Sequence, residues 1–160
     1  MGGPSLQSAG SGTTSVQTTA APAADWMRWT LVAAGLYNIA WGALAILAPL
    51  WCFRVVGMEP PNYPELWQCI GMIVGVYGVG YLAASRAPLV HWPITLVGLL
   101  GKILGPIGFA GALLSGRFPP AFGWNIVTND LIWWLPFAGI LLAAWRAHRA
   151  GGEGSGGHGR

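Results

Sequence analysis

The stretch GLLGKILGPIGF, residues 98 to 109, decides how the rest of the chain is read. Its lysine is the only one in the protein, and it stands between runs of apolar and small residues. Followed outward, the run extends from about Leu89 to Leu114 without a second charge. At a rise of ~1.5 Å per residue, such a segment is long enough to cross a hydrocarbon core of ~30 Å. Three more stretches share its character, near Trp26–Leu50, Leu66–Ala84 and Trp124–Ala147. None has the polar face that a surface helix of a soluble protein presents to water. The expected fold class is therefore all-α: an integral membrane four-helix bundle over residues 25–149, with a disordered N-terminal tail (1–24) and a flexible C-terminal tail (150–160). The N-terminal tail is Gly, Ser, Thr, Ala, Pro and Gln without charge, a composition that cannot bury enough apolar surface to offset the entropy of ordering.

Composition agrees with insertion. Hydrophobic residues make up 54% of the chain and charged residues 8%, against about 25% charged in an ordinary soluble domain. The net charge of +3 comes from basic residues scattered singly. No basic stripe exists, so nucleic acid is not an expected partner. Cys52 and Cys69 form no CxxC, and no His/Cys cluster has zinc spacing. Phosphate loops, GxSxG and HExxH are likewise missing from the sequence. No catalytic residue, metal or cofactor is assigned on this reading.

Tryptophans mark the span ends. Of ten in the chain, Trp26, Trp29, Trp51, Trp67, Trp92, Trp124 and Trp145 fall where an apolar run meets a polar segment, as in an aromatic belt. Four spans place both termini and the tight SRAPL connection on one side. That side carries Arg28, Arg86, Arg146, Arg149 and Arg160, and the other side carries Arg54 and Arg117. The excess of positive charge predicts cytoplasmic termini in a bacterial inner membrane. Pro60, Pro61 and Pro64 exclude helix from the long connection 50–65, and the short SRAPL loop predicts that spans two and three are antiparallel neighbours.

Small residues recur at offsets of three and four: Gly35, Asn38 and Gly42 in span one, Gly71, Gly75 and Gly78 in span two, Gly98, Gly101, Gly105 and Gly108 in span three. Each set falls on one helical face. In lipid, small residues let helix backbones approach closely, so packing seams are the first reading and a cofactor or lipid groove the second.

Lys102 has a candidate partner. Asp130 is the only acid inside an expected span. With spans three and four antiparallel, Lys102 falls about one turn deeper than Asp130, and the two are expected to form an intramembrane ion pair. Pro106 removes the donor to the carbonyl of Lys102, and Pro136 does the same to Ile132. Asn129, Asn125 and Asn38 complete a polar pocket, walled by Trp133, Trp134 and Trp41, whose aromatic faces suit a cation. Two readings stay open: a pin that sets helix register, or a substrate, proton or ion site. His91 reads as an interfacial residue at the start of span three. Cys52 and Cys69 fall on the same side of the membrane, which leaves a disulfide, two inert thiols or a redox pair as readings.

The segments HWPITLVGLLGKILGPIGF, NDLIWWLPFAGILLAAW and LWQCIGMIVGVYGVGYLAA resemble a group of small four-span bacterial membrane proteins. The resemblance covers about residues 27 to 147 and implies that Lys102, Pro106, Asn129, Asp130 and Pro136 belong to the family pattern. Some relatives carry an alkyl hydroperoxide reductase label, but this chain has no thioredoxin-like βαβ pattern and no peroxidatic cysteine motif. The layout is similar to DoxX-like bundles in span count only.

Three functions follow as expectations. The first is an accessory or structural membrane protein, in contact with the lipid bilayer and with further copies of itself or a membrane-protein partner. The second is a proton-, small-solute- or lipid-handling protein using the polar pocket. The third is a redox protein using Cys52 and Cys69.

Overall fold

The structure, a computed structural model, describes residues 24–155. It is all-helical over those residues, with helices α1 (Asp25–Leu47), α2 (Trp51–Val55), α3 (Pro64–Ala84), α4 (Trp92–Leu114), α5 (Gly123–Ile126) and α6 (Ile132–Ser155). A 3-10 turn (Pro120–Phe122) leads into α5, and a π-helical turn (Val127–Leu131) joins α5 to α6. From Pro120 to Ala150 these pieces form one continuous span, and α1, α3 and α4 supply the other three helices long and apolar enough to cross a membrane. The side chains facing away from the bundle are those a bilayer demands: Leu36, Val76, Leu104 and Leu135 are all exposed.

The helix starts follow local chemistry. Pro64 and Pro93 sit in the first turns of α3 and α4, where a missing N–H costs no intrahelical bond. Gly57 and Gly116 end α2 and α4 at φ +69°, a left-handed conformation that a Cβ penalises. The Gln68 amide donates to the Ile46 carbonyl at 2.8 Å, satisfying an acceptor of the last turn of α1 that has no intrahelical partner.

Two expectations about element limits are corrected. The connection 50–65 is not free of helix: Trp51–Val55 forms α2 before Pro60 is reached, because proline bars helix only at its own position and just before it. The last helix continues through Ser155 instead of stopping near Ala147, since each residue added to an existing helix gains a bond without a new nucleus. The expected disorder of residues 1–23 lies outside the described residues, as do residues 156–160.

The helices associate as two pairs. α1 packs along α3, and α4 packs along the π turn and α6, whereas α3 and α4 touch less. The α1–α3 seam is the glycine seam expected from the sequence. A Cβ on Gly78 would lie 2.7 Å from the Gly35 carbonyl oxygen, and one on Gly71 would lie 2.9 Å from that of Gly42. Both approaches are closer than any side chain allows.

At the end carrying both termini, Leu31, Ala34, Ala84, Phe137 and Ile140 have no exposed surface and close the bundle with Met27 and Tyr81. At the opposite end, which carries the two longer loops, Cys52, Phe53 and Phe122 form a smaller cluster with Trp67, Phe109 and Phe118. Between these clusters, where the two pairs diverge, lies the polar part of the interior.

A polar pocket between the helix pairs

Lys102 is buried in the middle of α4, 5% exposed. Pro106 lacks the N–H that would bond the Lys102 carbonyl. The indole of Trp134 takes that place, its Nε1 donating to the Lys102 carbonyl at 2.9 Å. The break in α4 is thus repaired by a side chain of α6, and this ties the two helices together. The carbonyl freed by proline is therefore held by Trp134 and is not the acceptor for the ammonium.

That acceptor comes from the π turn. Its wider winding, with the Ile132 N–H bonded to the Val127 carbonyl, redirects backbone groups that an α-helix would pair internally. The Lys102 ammonium donates to the carbonyl of Asn129, and the indole of Trp133 donates to that of Thr128 at 3.3 Å. The Trp133 ring lies 5.9 Å from the Lys102 Nζ, within the range of a cation–π contact.

Asp130, 6% exposed, has its Oδ1 accepting from the Asn129 Nδ2 at 3.1 Å. Its Oδ2 lies 3.0 Å from where a Cβ on Gly105 would be. Asp130 is therefore level with Gly105, one turn from Lys102 toward the loop end, which is the expected register. The expected direct ion pair is corrected: among the described residues no ammonium–carboxylate contact of 4.0 Å or less joins Lys102 to Asp130. The π turn presents the Asn129 carbonyl to the lysine, while the carboxylate rests over the glycine. The two charges meet across a shared cavity.

That cavity has a volume of about 150 Å³ and is lined from all four spans. Its polar groups are Asn38, Tyr77, Tyr81, Lys102, Asn129 and Asp130. Gly98 and Gly101 form part of its floor. Gly98 makes room for the Tyr81 ring, whereas a Cβ on Gly101 or Gly108 would meet nothing. Within the glycine stripe of α4, Gly98 and Gly105 are thus packed against Tyr81 and Asp130, while Gly101 and Gly108 stand at open space.

A groove of about 380 Å³ adjoins the cavity, sharing Val74 and Asn129 with it. Its lining is mainly apolar and aromatic and includes Trp41, Trp67, Ile70, Gly105, Phe109 and Phe122. Phe118 borders both this groove and a wide vestibule between the two longer loops, where Glu59 and Arg117 stand. The pocket thus faces the loop end, and the terminal end is closed.

Of the residues singled out from sequence, Lys102, Asn38, Asn129 and Asp130 come together in one cavity. Trp133 and Pro106 stand behind it as supports. Trp41 lines the groove and donates to Asn125 Oδ1 at 2.9 Å. Tyr77 and Tyr81 were missed by the sequence reading. Their signal is a pair of tyrosines one turn apart, about a quarter to a third of a turn around α3 from the glycine face that meets α1. His91 is exposed at the N-terminus of α4, as expected for an interfacial residue.

Cys52 and Cys69 are both free, the first buried and the second exposed, so no disulfide joins them. Burial pushes the Cys52 thiol above its ordinary value, which disfavours the thiolate that thiol chemistry needs.

No protein-family model, no curated protein and no solved structure matches this chain. The resemblance to small four-span bacterial membrane proteins rests on the quoted motifs alone.

Proposed function

We propose that this protein binds a small amphipathic molecule, its polar end in the Lys102–Asp130 pocket and its apolar body in the adjoining groove. The role is lipid- or small-solute handling and not that of an accessory subunit. One observation carries the reading: a mid-span cavity with six polar side chains adjoins an aromatic groove, and the two share walls at Val74 and Asn129. A register pin has no need of empty space beside it. Ligand sites combine an apolar lining with a few convergent polar groups, and this arrangement has both. The closed terminal end argues against a conducting pore.

Orientation belongs to the same proposal. The protein sits in a bacterial inner membrane with both termini cytoplasmic, supported by the arginine excess at the terminal end. The pocket then opens toward the outer leaflet.

The test uses a cavity-filling variant. Gly101→Leu projects into open space, so it is expected to fold and melt like the parent while occluding the pocket. Mass spectrometry of molecules retained by the purified protein should find an amphiphile with the wild type and lose it with the variant. Identical retained molecules in both would overturn the reading.

A further inference from the structure

We infer that the polar end of the ligand is uncharged and carries a hydroxyl group. This deepens the proposal above and rests on its pocket. The first argument is charge balance. The cavity holds one basic and one acidic side chain, Lys102 and Asp130. Whether both are ionised or a proton has passed between them, their sum is zero. A carboxylate or phosphate entering the cavity would face Asp130 with its charge uncompensated, and an ammonium would face Lys102 in the same way. An unbalanced charge at this depth carries the desolvation penalty of a buried unpaired ion.

The second argument is the hydrogen-bond inventory. Asn38, 3% exposed, lines the cavity with its Oδ1 buried and without a donor. The Oδ1 of Asn129 is buried and without a donor as well. Two unpaired carbonyl-type acceptors on residues that line one cavity call for a ligand that donates. Lys102 supplies the opposite need: an ammonium has three N–H donors, and one of them is engaged by the Asn129 carbonyl. A hydroxyl both donates and accepts, so it satisfies an asparagine acceptor and takes a bond from Lys102 at once. A ketone or ester oxygen meets only the lysine and leaves both asparagines unpaired. A buried acceptor left without a donor forfeits its hydration with nothing in return.

The third argument is shape. The groove beyond Val74 and Asn129 accepts an elongated apolar body between Trp41, Trp67 and Phe109. The occupant is therefore a long-chain or ring-bearing alcohol or phenol that enters from the loop end with its hydroxyl leading.

Three probes of equal chain length separate the outcomes: dodecanol, dodecanoate and dodecylamine, titrated onto the full-length protein in nanodiscs. Quenching of groove tryptophans by brominated forms of the probes reports binding, and Gly101→Leu defines non-specific partition into lipid. Dodecanol is expected to bind on the order of tenfold or more tighter than either charged probe. Asn38→Leu is expected to remove most of that preference by weakening dodecanol binding. A preference for dodecanoate or dodecylamine over dodecanol overturns the hydroxyl inference and leaves the pocket proposal standing. Equal quenching of wild type and Gly101→Leu by all three probes, as for a cavity holding water alone, overturns both. The head-group comparison is made on the wild type, so it decides even if Asn38→Leu does not fold.

Discussion

At the scale of single residues, glycine has opposite meanings at neighbouring positions of α4. Gly98 lies under the Tyr81 ring, and a methyl group there would collide with it. Gly98→Ala is expected to lower the melting temperature in detergent, as overpacking of ~1–3 kcal/mol does. Gly101, one turn away, faces the cavity. Gly101→Ala is expected to leave stability unchanged or raise it by ~0.5–1 kcal/mol through reduced backbone freedom. Thermal denaturation of both variants side by side checks the contrast, and equal destabilisation would show that Gly101 is packed. Nothing in the repeat of glycines separates these roles. Period identifies a face, and only the neighbouring helix decides whether that face is a seam or a wall.

At the scale of elements, the paired interruptions in α4 and in the last span act together. Pro106 frees a carbonyl that Trp134 occupies, and the π turn frees one that Lys102 occupies. Both bonds cross the same interface, so each helix mends the other. Trp134→Phe keeps the ring but removes the donor. It is expected to cost about 1–3 kcal/mol, the penalty for an orphaned acceptor away from water. The double variant Trp134→Phe with Pro106→Ala, which restores the backbone N–H, is expected to recover much of that loss. Melting curves of the singles and the double measure the coupling, and simple additivity would refute it. Both prolines are legible in the sequence. The π turn is not, because the phase shift of ~100° from one extra residue leaves no mark in a span without a polar face.

For the whole molecule, the divergence of two helix pairs creates the interior space. α1 and α3 are drawn together by backbone-to-backbone glycine contacts, and α4 and α6 by the exchanged hydrogen bonds. The looser contact between α3 and α4 leaves the groove. The same arrangement keeps the thiols apart, since Cys52 is buried among aromatics and Cys69 points outward. Thiol titration in SDS without reductant is expected to find two free groups, and before unfolding Cys52 should resist maleimide. A finding of no free thiol would reveal a disulfide and revive the redox reading. Arg149 stacks over Trp145 at 3.9 Å near the terminal end, a pairing suited to an interfacial anchor.

Four spans, their approximate limits, the aromatic belt and the glycine faces were all determined by the sequence itself. So was the membership of Lys102, Asp130, Asn38 and Asn129 in one polar layer. Each of these follows from length, hydropathy and helical period, which are properties of a segment alone. Only the tertiary structure decided that the lysine bonds a backbone carbonyl and not the carboxylate, that two tyrosines of α3 join the layer, and that Gly98 is packed while Gly101 is open. Those outcomes depend on how far apart helices stand and on where a single π turn points its carbonyls, and such distances arise from contacts between segments that no one segment encodes.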